Sequence, residues 1–165
     1  MEGLVHPLIE KPVENDFSID NKVIITGPNA AGKSTFIKAL AICAILAQSI
    51  NTVTATRFIL PKMTVMTCMA LRDDVISHES YYYREANYIK RILEEVSESK
   101  EKLFIVIDEI LKGTNTTERV AASKAILNYL EVEGSGCWCS DKRSLWSAWF
   151  WFYCSCSWYQ FCKCR

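Results

Sequence analysis

The chain has 165 residues, enough for one domain with a buried core, and half of these residues are apolar while 23% are charged. Its formal net charge is zero, so no overall basic field argues that the chain itself binds nucleic acid. Residues 1–12 lack the basic and apolar segments of a signal peptide, and we therefore expect a cytoplasmic protein.

The first half of the chain predicts a strand, a glycine-rich loop, a helix and a second strand. Residues 23–26 are a short β-branched run, which is typical of a buried strand. Residues 33–48 repeat apolar side chains at helical spacing and contain no glycine or proline. The stretch TVMTCMAL at 64–71 is β-branched and apolar enough for a strand, and Pro61 marks a turn before it.

The second half predicts a helix, a strand and another helix. Apolar residues recur three and four positions apart over 85–99, and KLFIVID at 102–108 is typical of a buried strand. Asn115, with Glu118 three residues after it, is placed to cap a helix that runs to about Leu130. This alternation predicts an α/β fold in which helices cover both faces of a parallel sheet.

The pattern changes abruptly near residue 134, which divides the chain into a regular domain at 1–133 and a tail at 134–165. The tail holds six of the eight cysteines and all five tryptophans. Its Cys-x-Cys pairs lack the usual zinc-ligand spacing, and its uncharged stretch 144–162 has no Leu, Ile or Val after Leu145, which argues against a membrane span. Contact of the aromatic residues with a membrane interface or with a partner stays an alternative. The composition favours translation in a shifted reading frame, and we expect no regular strand there.

The two cysteines outside the tail, Cys43 and Cys68, lie in apolar surroundings. We expect both to be small buried hydrophobic residues.

The segment GPNAAGKST matches the phosphate-loop pattern G-x-x-x-x-G-K-[ST] in full. It lies between the first strand and the first helix, where backbone N–H groups and the helix dipole favour an anion. In this pattern Lys33 reaches the β- and γ-phosphates and the Ser34 hydroxyl binds Mg²⁺. The predicted nucleotide-binding residues are Gly27, Pro28, Asn29, Ala30, Ala31, Gly32, Lys33, Ser34 and Thr35.

Two carboxylates lie at the end of the strand predicted over 102–108. Asp108, at the strand end, is the candidate for the magnesium shell beside Ser34. Glu109 comes directly after it and is placed to polarise an attacking water, which makes Glu109 and Lys33 the candidate catalytic residues. A phosphate loop, a metal carboxylate and a base together predict an NTP hydrolase.

ITGPNAAGKST and DEILKGTNTTER together resemble the C-terminal ATPase domain of the MutS family of DNA mismatch-repair proteins. The lead-in HPLIEKPVENDFSID and the segment SHESYYYREANYIKRIL are similar to the family's corresponding segments, the latter to its version of the ABC signature. The resemblance covers residues 6 to about 131 and is closer to stand-alone MutS-related proteins.

The resemblance implies a P-loop NTPase fold related to ABC-type ATPases, here truncated at its C-terminus. It also implies ATP and Mg²⁺ as ligands, with ATP hydrolysis coupled to DNA binding by domains that this chain lacks. On the signature match, Ser80 faces the γ-phosphate of a second protomer and Glu85 opens the following helix. We therefore expect an ATP-dependent homodimer and no membrane association.

The family continues with a strand that ends in a Thr-His pair, whose histidine senses the γ-phosphate. This chain has only His6 and His78, so that histidine is absent. The chain also lacks the aromatic residue that the family places near Pro12 to stack on adenine. Two alternatives stay open: an ATP-binding module without turnover, and another P-loop class such as a small-molecule kinase or an ABC/SMC-type ATPase.

Overall fold

The computed structural model describes residues 1–19, 22–26, 28, 31–69, 81–111, 114–133, 137–141 and 160–163. Over these residues the protein is an α/β structure in which strands and helices alternate up to the fourth strand. In chain order the elements are β1 (Val23–Thr26), α1 (Lys33–Ile50), β2 (Thr64–Cys68), α2 (Tyr81–Glu98), β3 (Leu103–Ile107), α3 (Thr116–Glu133), β4 (Cys137–Asp141) and β5 (Gln160–Lys163).

The strands form one parallel sheet in the order β2-β3-β4-β1-β5. β4 therefore lies between β1, which precedes the glycine-rich loop, and β3, which precedes Asp108. Because all the strands are parallel, their carboxyl ends meet on one side of the sheet. This side carries the segments that the sequence predicts to bind the nucleotide.

The core lies on both faces of the sheet, because successive residues of a strand point to opposite faces. All five residues of β3 are buried. Leu103, Ile105 and Ile107 join a cluster with residues of α2 and α3, whereas Phe104 and Val106 join a second cluster with residues of α1. α1 thus covers one face, and α2 and α3 cover the other, as the alternation predicted.

The N-terminal segment packs beside the start of α1. Isolated antiparallel bridges join Glu2 to Arg57 and Leu4 to Asn15. The terminal ammonium donates a hydrogen bond of 2.9 Å to the Phe17 carbonyl, and the Phe17 ring meets the Phe36 ring edge-on with a centroid distance of 5.4 Å. These contacts fix the segment against the first turn of α1.

α1 is the one helix among the described residues that is long and apolar enough to cross a membrane. Its buried side chains, however, belong to the core cluster that covers the sheet. A core helix passes the same test of length and composition, so α1 gives no support for a membrane span.

The predicted elements of the regular domain are confirmed, with shifts at their ends. α1 and α3 extend two or three residues further than predicted, and α2 begins at Tyr81 instead of residue 85. Cys43 and Cys68 are both buried, as expected.

The expectation of no regular strand after α3 was wrong, because residues 137–141 and 160–163 pair with the sheet as β4 and β5. Their composition hid them, since cysteine, tryptophan and serine give no β-branched run. Whether 134–165 is a shifted-frame segment stays a prediction.

Candidate functional site

The glycine-rich loop joins β1 to α1 at the carboxyl end of the sheet. Gly32 is the N-cap residue of α1 and has a φ of 81°, in the left-handed region that glycine adopts at little cost. A Cβ added at Gly32 would meet nothing within 4 Å. Backbone conformation, and not lack of space, is therefore the reason for glycine at this position.

The first turn of α1 is suited to an anion. No side chain caps this helix end, and no acidic residue lies in the first turn. The first N–H groups of a helix have no partner within the helix, and they lie at the positive end of its dipole. Ser34 and Thr35 are partly buried in this turn, so the hydroxyl predicted to bind Mg²⁺ sits at the helix start.

Lys33 is buried, with 5% of its surface exposed, which is unusual for lysine. Its Nζ donates a hydrogen bond of 2.9 Å to the carbonyl oxygen of Pro28, at the other end of the loop. The backbone N–H of Ala31 also donates to the Pro28 carbonyl, at 3.3 Å. The ammonium group is therefore held inside the loop, where the sequence predicts the phosphates.

Asp108 follows β3 directly and is held at the sheet by its backbone, whose N–H donates to the Cys68 carbonyl at 3.0 Å. Its Oδ1 is buried and has no hydrogen-bond partner. A buried polar atom without a partner is costly and needs an explanation such as a missing ion or water. A cation held by this oxygen would remove the cost.

Glu109, the predicted base, has a φ of 60°, and Leu111 two residues later has a φ of 51°. Both lie in the left-handed region, which costs a residue with a Cβ about 1–2 kcal/mol. Ile110 between them is fully buried and Leu111 is 5% exposed, so packing of these two side chains holds the turn. Such strain concentrates at functional sites.

The register of the sheet brings these two segments to the same level. Cys139 of β4 pairs with Val23 on one side and with Val106 on the other. Two residues further along each strand lie Ile25 and Asp108. Since neighbouring strands are about 4.8 Å apart, Asp108 lies about 10 Å across β4 from the strand that leads into the loop.

The segment after the turn starts α3 as the sequence predicted. The Asn115 side chain accepts a hydrogen bond of 2.9 Å from the Glu118 backbone N–H, which is an N-cap. The Glu118 carboxylate accepts a hydrogen bond of 2.8 Å from the Thr114 hydroxyl. Both bonds fix the start of α3.

Sequence reasoning missed the burial of Glu85. It is 2% exposed and lies in α2 near Cys68, the last residue of β2. Burial, with a smaller contribution from the Glu85 charge, raises the pKa of the Cys68 thiol to about 12. The signal was present in the spacing, because Glu85 shares the helical face of Ile89, Ile92 and Val96, all of them buried.

Several predicted site residues lie outside the described residues. They are Gly27, Asn29 and Ala30 of the loop, and Ser80 before α2. The structure therefore brings together Pro28, Ala31, Gly32, Lys33, Ser34 and Thr35 in the loop, and Asp108 with Glu109 after β3.

The donor chemistry at this side of the sheet fits Mg²⁺, because carboxylate and hydroxyl oxygens are hard ligands. Over the described parts of the chain, no three or more His, Cys, Asp or Glu side chains cluster in a way that could hold a metal. Such a cluster is not needed for Mg²⁺ at a nucleotide, which takes one or two protein ligands together with phosphate oxygens and water.

The fold and this arrangement define a class: an α/β domain with a phosphate-loop sequence between β1 and α1. Comparison with known proteins then gives the family. Residues 23–139 match MutS domain V. The chain is 37% identical to the DNA mismatch repair protein MutS of Thermotoga petrophila over 142 residues, which are 81% of this chain and 18% of that protein.

Two other relatives give the same result. The DNA mismatch repair protein MutS of Pseudothermotoga lettingae is 35% identical over 134 residues, which cover 76% of this chain and 16% of that protein. Human MutS protein homolog 4 is 36% identical over 135 residues, which cover 76% of this chain and 14% of that protein. The chain therefore belongs to the MutS family and corresponds to its C-terminal ATPase domain. It spans less than a fifth of the length of these relatives.

Proposed function

We propose that the chain binds ATP with Mg²⁺ through a P-loop NTPase fold and hydrolyses it. In a MutS-related mismatch-repair protein this activity would couple the nucleotide state to DNA binding by other domains. The observation that carries the proposal is the buried Lys33, held inside the loop between β1 and α1 on the side of the sheet where Asp108 and Glu109 lie.

Each described residue has a role that its surroundings support. The α1 N-terminus and the glycine-rich loop bind the phosphates through backbone N–H groups. Lys33 exchanges its bond to the Pro28 carbonyl for the β- and γ-phosphate oxygens. Ser34 and the unpartnered Asp108 Oδ1 are the Mg²⁺ ligands. When bound, Mg²⁺ neutralises charge that develops on the phosphate oxygens.

Glu109 accepts the proton of the attacking water. Its strained backbone directs the side chain from a turn that the buried side chains of Ile110 and Leu111 hold. A carboxylate in this position raises turnover because a general base lowers the barrier to water attack.

A second candidate function is ATP binding without turnover. The observation that favours it is the last residue of β4, the strand that follows α3 and lies between β1 and β3. This residue is Asp141 and not a histidine. The family resemblance implies a histidine after its last helix, and the only histidines of this chain are His6 and His78. Phosphate release from Mg-ATP by the parent chain, compared with Glu109→Gln, separates the two functions.

The assembly we propose is a homodimer in which ATP bridges two protomers, with Ser80 of each facing the nucleotide of the other. The support is the family membership and the helix α2 that starts directly after Ser80. DNA binding would lie in domains outside this chain, because the net charge of the chain is zero. We place the protein in the cytoplasm and propose no contact with a membrane.

Lys33→Ala tests nucleotide binding, with Lys62→Ala as the matched control because Lys62 is exposed and lies outside the loop. Equilibrium binding of a fluorescent ATP analogue in the presence of Mg²⁺ should be lost in Lys33→Ala and unchanged in Lys62→Ala. Thermal melts of both variants check that each is folded. Equal affinity of the folded Lys33→Ala chain and its parent would refute the loop assignment.

A further inference from the structure

Arg119 lies in the first turn of α3, on the helix face that packs against the sheet. Ser123 and Leu127, four and eight residues later, are buried on this face, and residues four apart on a helix share a face. α3 connects two parallel neighbouring strands, β3 and β4, so it runs antiparallel to them and begins at their carboxyl ends. Arg119 is therefore on the side of the sheet that carries the glycine-rich loop, Asp108 and Glu109.

The side chain of Arg119 has a polar atom that the fold leaves unsatisfied. Arg119 is partly exposed as a whole, yet its Nε is buried and has no hydrogen-bond partner among the described residues. Ser123 Oγ, one turn further along the same face, is also buried without a partner. The neighbouring carboxylate, of Glu118, accepts from the Thr114 hydroxyl instead. Because a buried donor without an acceptor is costly, Arg119 Nε marks a place for a ligand.

The chemistry of this ligand follows from the guanidinium group. This group is always charged and presents N–H donors in a planar fork that matches the oxygens of a phosphate or a carboxylate. The ligand is therefore an anion. A phosphate is favoured over a carboxylate because the same side of the sheet holds the buried Lys33 inside the phosphate-loop sequence.

We infer that Arg119 binds the terminal phosphate of ATP and makes the site prefer ATP over ADP. The inference rests on the proposed function and adds a residue that neither the loop pattern nor the two carboxylates include. α1 covers one face of the sheet and α3 covers the other, so Arg119 approaches from the face opposite to the first turn of α1. The base Glu109 acts at the terminal phosphate, and Arg119 follows Glu109 in the same connection to β4. A positive charge there stabilises a bound triphosphate more than a diphosphate.

The ratio of ATP affinity to ADP affinity tests the inference on the full chain. Equilibrium binding of a fluorescent non-hydrolysable ATP analogue and of fluorescent ADP, each with Mg²⁺, gives both affinities. Arg119→Ala should weaken binding of the analogue about tenfold or more and binding of ADP less than about twofold, because only the analogue loses a hydrogen bond from a charged group. A merely structural role would weaken both alike.

Two further variants serve as controls. Arg119→Lys keeps the charge but loses the planar fork, so its affinity for the analogue should fall between those of the parent and Arg119→Ala. Arg91→Ala removes an exposed arginine of α2 and should leave the affinity ratio unchanged. Thermal melts check that each variant is folded.

A measurement on the unmodified chain avoids any folding defect of the variants. Phenylglyoxal modifies arginine side chains, and mass spectrometry of the peptide that contains Arg119 measures the extent of reaction. Because Arg119 is partly exposed, it should react in the free chain. The ATP analogue with Mg²⁺ should protect it, whereas ADP should not. Equal protection by both nucleotides, protection by neither, or an unchanged affinity ratio in folded Arg119→Ala would each overturn the inference.

The same samples distinguish this failure from failure of the proposed function. If the parent binds both nucleotides but their affinity ratio does not depend on Arg119, the loop assignment stands and only the role of Arg119 is wrong. If the parent binds neither nucleotide, the proposed function fails and the role of Arg119 fails with it.

Discussion

The strained turn at Glu109 predicts that glycine gives a more stable protein than alanine at this position. Glu109 has a φ of 60°, which costs a residue with a Cβ about 1–2 kcal/mol. Glycine has no such cost but loses about 0.5–1 kcal/mol more conformational entropy on folding than alanine. We therefore expect Glu109→Gly to be about 1 kcal/mol more stable than Glu109→Ala.

The comparison of alanine with glycine isolates the backbone, because both variants lose every contact of the glutamate side chain. For a chain of this size about 1 kcal/mol corresponds to a rise in Tm of about 2–4 °C. Urea unfolding followed by far-ultraviolet circular dichroism measures the difference, and both variants should lose ATP turnover.

Arg91, exposed in the middle of α2, is the matched control position. There the order should reverse, with Arg91→Gly about 1 kcal/mol less stable than Arg91→Ala, because glycine disfavours a helix interior. If Glu109→Gly proved no more stable than Glu109→Ala while Arg91 behaved as expected, the turn would carry no strain and the reasoning would be refuted.

Three further outcomes follow from single contacts. Asn115→Ala should lower the free energy of unfolding by about 1 kcal/mol in urea denaturation through loss of the N-cap, whereas the exposed Thr117→Ala should change it little. Leu130→Ala should cost about 2–5 kcal/mol in the same assay because Leu130 is fully buried, and a loss under 1 kcal/mol would contradict its place in the core. The Cys68 thiol, whose pKa is raised from 9.0 to about 12, should resist alkylation in the native protein at pH 8, as read by mass spectrometry. Its neutral form stabilises the fold fully below pH 9, and this contribution should fall as the pH rises from 9 towards 12. If the free energy of unfolding fell by the same amount over that window in Cys68→Ala and in the parent, this expectation would be wrong.

The regular domain could be predicted from the sequence because its strands and helices carry clear apolar periodicity. β1 was placed to the residue, and the Asn115 cap was found from its spacing to Glu118. The helix ends were less exact, as at α2, where the tyrosines at 81–83 gave no start signal and the helix was predicted to begin four residues late.

β4 could not be predicted because a strand inside a sheet is specified by its neighbours. Its residues CWCSD contain no β-branched side chain, yet β1 and β3 supply partners on both sides. The register that places Asp141 beside Asp108 depends on this pairing and is invisible in the sequence. The burial of Lys33 and its hydrogen bond to the Pro28 carbonyl likewise depend on the folded chain and on no periodicity in the sequence.

We propose that the glycine-rich loop and the turn after β3 form one nucleotide site. Hydrogen–deuterium exchange of the full chain, with and without Mg²⁺ and a non-hydrolysable ATP analogue, tests it directly. Slower exchange is expected in peptides that cover 27–36 and in peptides that cover 107–111, with no change in the C-terminal half of α2. Protection of only one of the two segments, or of neither, would contradict it.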